Sequence, residues 1–151
     1  MPFQIIPIPA EFVARVRSGF DDQAQPTEFH NAQGGEPLRD LLRRALPGER
    51  IALASFCPFQ EDGPYKEFGP VFVSAAPSGE EPGLSALPAG YLASPFVLRA
   101  YSSAERIVDA MVVEPEAAAA AIDGLLARQD VAFILARFLA YGCYACRIER
   151  S

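Results

Sequence analysis

Residues 95–113 read PFVLRAYSSAERIVDAMVV. Two runs rich in β-branched and aromatic side chains, Pro95 to Tyr101 and Arg106 to Val113, flank the polar tetrad Ser102 to Glu105, and this pattern predicts an antiparallel hairpin. Pro115 follows at a favoured first helical position. Ala118, Ala121, Ile122, Leu125 and Leu126 then recur on one face, which predicts a helix from residue 115 to about 129. Beyond it, Val131 to Leu139 and Cys143 to Ile148, separated by Tyr141-Gly142, predict a second antiparallel hairpin. Two hairpins around one amphipathic helix define an α+β fold, a mainly antiparallel sheet with one long covering helix.

Working towards the N-terminus, Phe3 to Ile8 reads as a strand and Ala10 to Arg17 as a short N-terminal helix closed by Ser18-Gly19. The polar stretch from Asp21 to Pro37 reads as a long loop with a short strand around Thr27 to His30. Leu38, Leu41 and Leu42 have helical spacing, but Pro37 and the turn Leu46-Pro47-Gly48-Glu49 leave only about two helical turns between breakers. Helix and extended chain therefore compete on equal terms over residues 38–45. Arg50 to Phe56 and Val71 to Ser74 read as strands, and Pro58 to Tyr65 and Ala75 to Pro88 as loops. No segment repeats at a fixed period and no linker divides the chain, so residues 1–151 read as one domain.

Half of the 151 residues are hydrophobic and 21% are charged, a balance that buries a core and is unlike that of a disordered chain. No apolar run approaches the ~20 residues that span a bilayer, and the N-terminus has neither a basic segment nor a long apolar one, so a soluble cytoplasmic protein without a membrane partner is expected. The formal net charge of -6 argues against nucleic acid as a partner, because phosphate contacts need a net basic surface. Three cysteines, an odd number, fit reduced thiols better than a disulfide framework.

Cys143-Tyr144-Ala145-Cys146 has the spacing of a redox dithiol or half a zinc knuckle. In an uninterrupted strand, positions three apart face opposite sides, so neither shared metal binding nor a dithiol is expected. Cys143 alone is a weak catalytic candidate, with His30 as the one imidazole able to assist it. No cofactor motif is present; Gly34-Gly35 lacks the Lys-Ser/Thr of a phosphate loop.

Polar residues set into apolar strands are more informative. Arg99 and Tyr101 share one face of their strand, Arg137 and Arg147 lie in the last hairpin, and Arg39, Arg43, Tyr65 and Glu67 lie in the middle of the chain. Guanidinium and phenol groups converging on a cleft would hold a carboxylate or phosphate, so an anionic small molecule is the first expected ligand. The competing reading is that these arginines reach solvent or pair with Glu67, Glu49 and Asp109. Two other function classes stand beside it. One is an interaction module, most simply a homodimer, using strand edges and Phe56, Phe59, Phe68 and Phe72 among 11 phenylalanines. The other is a Cys143-dependent enzyme.

Three blocks carry a family resemblance: Pro37-Leu38-Arg39 with Leu42 to Glu49; Ser55-Phe56-Cys57-Pro58-Phe59; and Pro64-Tyr65-Lys66-Glu67-Phe68-Gly69-Pro70-Val71-Phe72-Val73. Together with Leu98-Arg99-Ala100-Tyr101, Ala136-Arg137 and the Tyr141-Gly142-Cys143-Tyr144 to Arg147 segment, they resemble the bacterial family DUF1203, a domain of unknown function. The resemblance covers most of the chain after residue 36. Leu38 and Ser74 stand where family members often have Cys and His. No activity, cofactor or site is implied by the resemblance.

Overall fold

The apolar run from Val131 to Ala136 is long for a half-exposed strand, and the computed structural model, which describes residues 2–151, explains it: strand β9 is buried on both faces. Its Ile134 and Ala136 point into one core and its Phe133 and Leu135 into another. The elements in chain order are β1 (Phe3–Ile6), α1 (Ala10–Ser18), β2 (Glu28–Asn31), β3 (Pro37–Leu38), β4 (Arg43–Arg44), β5 (Arg50–Phe56) and β6 (Gly69–Ser74). Then follow β7 (Phe96–Tyr101), β8 (Ile107–Val113), α2 (Pro115–Leu126), β9 (Phe133–Phe138) and β10 (Tyr144–Arg150).

Both predicted hairpins form, β7–β8 and β9–β10. They belong to one antiparallel sheet of order β1-β10-β9-β7-β8. A second five-stranded sheet, β2-β5-β6-β3-β4, is antiparallel except where Leu38 of β3 pairs in parallel with Phe72 of β6. The fold is α+β as expected, but with two sheets in place of one. Helix α2 packs Ala118, Ile122, Leu125 and Leu126 against one face of the first sheet. The other face meets Val71, Val73, Ala52 and Ala54 of the second sheet, with Phe12, Val13 and Val16 of α1 in the same core.

A long covering helix is not what the chain builds. Helix α2 has twelve residues and stops at Leu126, short of the expected 129. One more apolar turn would need an apolar residue at Gln129, and instead the chain turns there, with Arg128 N bonding Leu125 O and the Arg128 guanidinium pairing with Asp130. This turn delivers Val131, only 1% exposed, to the core.

Residues 38–45 resolve as extended chain interrupted by a tight turn. Leu42 N donates to Leu38 O at 2.8 Å, and Leu42 takes a positive φ of 53°. Leu38, Leu41 and Ala45 bury themselves against Ile51 and Ala32 rather than along a helical stripe. Such a φ is strained for a leucine, and the turn persists because Leu42 is itself buried and Arg43 of β4 is clamped by Glu49 and Glu80.

Candidate functional site

Three loops meet beside the second sheet: the approach to β3, the Tyr91 to Pro95 segment before β7, and the β9–β10 turn. Between them lies a cavity of about 880 Å³. Its walls are apolar, chiefly Phe72, Tyr91, Phe138 and Leu139. Its charged side chains are Arg39, Arg44 and Glu36, beside Cys143 and the uncharged Gln33, Ser94 and Tyr141.

Arg39 projects from the tight turn after β3 and is only 2% exposed. Its Nε donates to Tyr144 O at 2.9 Å and its Nη1 to Pro37 O at 2.8 Å, while the guanidinium lies 5.3 Å from the Phe138 ring centroid. Among the described residues no carboxylate lies within 4 Å of it, and no oxygen accepts from Nη2. Cys143 lines the same cavity, one residue before the Tyr144 carbonyl that Arg39 holds. Burial pushes the Arg39 pKa down, the expected direction for a cation removed from water without a full counter-charge.

Arg44 approaches the same Phe138 ring at 4.9 Å, donating to Gly35 O and Tyr91 O at 3.0 Å each. It too lacks a carboxylate partner among the described residues. Glu36 is the one carboxylate on the cavity wall, and its two oxygens are taken by Gln33 N (2.9 Å) and Gly34 N (2.8 Å). Those amide bonds lower its pKa.

Cys143 follows Gly142, whose φ of +73° closes the β9–β10 turn in a conformation that favours glycine. The carbonyls on both sides of Cys143 are held by arginines, Gly142 O by Arg137 Nη1 at 3.0 Å and Tyr144 O by Arg39. Two buried guanidinium groups thus fix the backbone that carries the thiol.

The residues singled out from sequence divide into three places. Arg99 and Arg137 share a sheet face and converge on Glu67, Arg99 Nη1 at 3.8 Å and Arg137 Nη2 in direct contact. Tyr101 lies two residues from Arg99 along β7, stacked 5.1 Å from Phe133, and burial raises its pKa. Tyr65 is nearby, 38% exposed beneath Arg106. Arg147 shares the face but stacks on Phe133 at 3.8 Å and pairs with Glu149 at 2.6 Å. Arg43 belongs to the second sheet with its own two carboxylates. An anion at the Arg99–Arg137 pair would meet Glu67 already in place.

His30 lies on β2, exposed and 3.1 Å from Glu28, so it gives Cys143 no assistance. The expectation of an unbroken strand from Cys143 to Cys146 also needs correction. The strand starts at Tyr144, and a bulge between Tyr144 and Cys146 places Ala145 and Cys146 together in the core under α2. The cysteines are free, and no group of three or more metal-ligating side chains forms among the described residues. Burial pushes the Cys146 thiol up to about 12. Titration with an aromatic disulfide reagent is therefore expected to find Cys57 and Cys143 reactive in the native protein and Cys146 only after unfolding, three thiols in all. Fewer than three in the denatured, unreduced protein would contradict this.

Sequence reasoning passed over Arg44 and Tyr91, and placed Arg39 in the polar set without counting it among the expected ligand-binding residues. The available signal was the breakers Pro37 and Pro47-Gly48, which leave a segment too short for a helix; Arg39 falls on the tight turn and Arg44 on the short strand β4. Of the phenylalanines considered for a dimer contact, Phe56 and Phe59 are core residues, Phe72 lines the cavity and Phe68 is 43% exposed.

The family model of DUF1203, a protein of unknown function, matches residues 35–150. That span includes Arg39, Arg44, Tyr91, Phe138 and Cys143. No curated protein and no solved structure matches the chain.

Proposed function

The chain belongs to the DUF1203 family, whose function is unknown, and from the geometry of its cavity we propose that it binds a small molecule with a flat apolar body and an anionic head. The observation that carries this reading is the Arg39 guanidinium, 2% exposed on the cavity wall with no carboxylate partner among the described residues. An uncompensated buried charge costs several kcal/mol, and a bound carboxylate or phosphate supplies the missing counter-charge. Arg44 adds a second guanidinium on the same aromatic ring, so the head group would be held between two planar donors. Phe72, Phe138 and Leu139 offer surface for an apolar or aromatic body, and a cavity of about 880 Å³ is of the size of small-molecule sites.

Thermal unfolding with arylcarboxylates such as benzoate and phenylacetate, beside their uncharged amides, tests the proposal. The carboxylates are expected to stabilise the protein by about 2.7 kcal/mol at a hundredfold excess over the dissociation constant, with the amides well behind. Arg44→Gln is expected to remove most of that difference. Equal shifts from acid and amide, or none from either, would refute an anionic head group.

A further inference from the structure

We infer that Cys143 is a nucleophile placed to exchange with the disulfide of an anionic low-molecular-weight thiol, forming a mixed disulfide on the cavity wall. The inference rests on the anion-binding reading and goes further, since it assigns the cavity a covalent chemistry. A half-exposed thiol is not a site by itself. Here the second observation is Arg39, 98% buried, aimed into the same cavity, with one nitrogen lacking an oxygen acceptor and no carboxylate among the described residues. The anion that satisfies this guanidinium is brought near the sulfur, because Arg39 and Cys143 line the same cavity and Arg39 Nε donates to the carbonyl of Tyr144, the residue after Cys143. Holding the two reactants together in this way is what accelerates an otherwise bimolecular step.

The class of reaction follows from what surrounds the thiol. Acyl transfer would need a general base and a proton donor for the leaving group. His30 is on an exposed strand with Glu28, both Glu36 oxygens are bonded to amides, and Glu67 serves Arg99 and Arg137. Thiol–disulfide exchange needs neither, since a thiolate leaves without protonation. Cys143 loses its proton to water and its sulfur attacks one sulfur of the small disulfide. The new S–S bond forms as the old one breaks, and the departing thiolate carries away the electron pair and takes a proton from solvent. The protein sulfur is oxidised and half of the small disulfide is reduced, so no further oxidant is required.

The product should persist. Cys146 is sealed in the core under α2, and Cys57 is absent from the cavity wall, its Sγ 3.5 Å from Phe59 O. Neither can displace the adduct from the native fold, so release would fall to an external thiol.

The test uses the intact protein with three disulfide probes: oxidised glutathione as the anionic one, hydroxyethyl disulfide as the neutral one and cystamine as the cationic one. Peptide mapping by mass spectrometry reads the rate at Cys143 and, as an internal control, at the similarly half-exposed Cys57. The anionic-to-neutral rate ratio is expected to be about tenfold higher at Cys143 than at Cys57, the effect of one favourable charge contact, with cystamine slowest at Cys143. Arg44→Gln, which spares the two carbonyl bonds made by Arg39, should cut that ratio and leave Cys57 unchanged. Equal ratios at the two cysteines, or an unreactive Cys143 beside a reactive Cys57, would overturn the inference. Thermal shifts of the wild type with arylcarboxylates, set beside its exchange rates, separate the two ideas. If the shifts appear while the exchange preference is absent, only the covalent chemistry falls; if wild type shows no shift, the binding reading falls.

Discussion

Arg39→Ala is expected to lower stability by about 2–4 kcal/mol and to abolish binding of arylcarboxylates in the same protein. The guanidinium donates to Tyr144 O and Pro37 O and packs against Phe138, so its removal strands two carbonyls and opens space under the turn after β3. Each stranded carbonyl costs about 1–3 kcal/mol where water does not reach it. The total is held below the sum because the variant also sheds a buried charge that has no carboxylate partner. Arg39→Lys keeps the charge but cannot reproduce a planar fork that serves two carbonyls, and should fall between wild type and Ala. Urea unfolding with an unchanged slope measures this. A loss no larger than that of Arg44→Ala, at an exposed position, would refute the buried role of Arg39.

Tyr91→Ala is expected to cost about 3–5 kcal/mol, the range for truncating a buried aromatic ring. Tyr91 is fully buried, its hydroxyl donates to Ala145 O at 2.7 Å, its ring meets Phe138 edge-on at 5.4 Å, and its carbonyl accepts from Arg44. Tyr91→Phe isolates the hydroxyl and should cost about 1–2 kcal/mol, since Ala145 O is left unpaired while the packing remains. Burial raises the Tyr91 pKa well above its ordinary value of 10.0, so the hydroxyl remains a donor throughout the neutral range. A raised folded-state pKa also means that, above about pH 10, the unfolded chain binds fewer protons than the folded one, and stability falls as pH rises. Tyr91→Phe should make that alkaline decline shallower; an unchanged slope would argue against a buried, protonated phenol.

Particular elements show how far local chemistry reaches. The β7–β8 hairpin was legible because alternation and a polar tetrad sit within twenty residues of one another, and Pro115 marked the start of α2 by fixing its own φ. The end of α2 was not legible, since Ala127 and Arg128 are good helix formers and only the demand of Val131 for the core turns the chain. That Arg99 and Tyr101, or Arg147 and Glu149, share a face follows from the period of a strand; that Arg99 meets Glu67 does not.

By itself the sequence determined what is local: an α+β chain with two antiparallel hairpins, helices starting at Ala10 and Pro115, and Arg99 and Tyr101 on one strand face. Tertiary structure alone decided the rest, because each remaining feature joins residues far apart in the chain. A second sheet exists because β5 and β6 find β2 and β3, and the bulge before Cys146 breaks an alternation that the residues themselves obey. The cavity depends on the bond from Arg39 to Tyr144 O, which spans 105 positions. Side-chain period says which way a residue points; only the pairing of distant segments says what stands opposite it, and whether a buried guanidinium is left without its counter-charge.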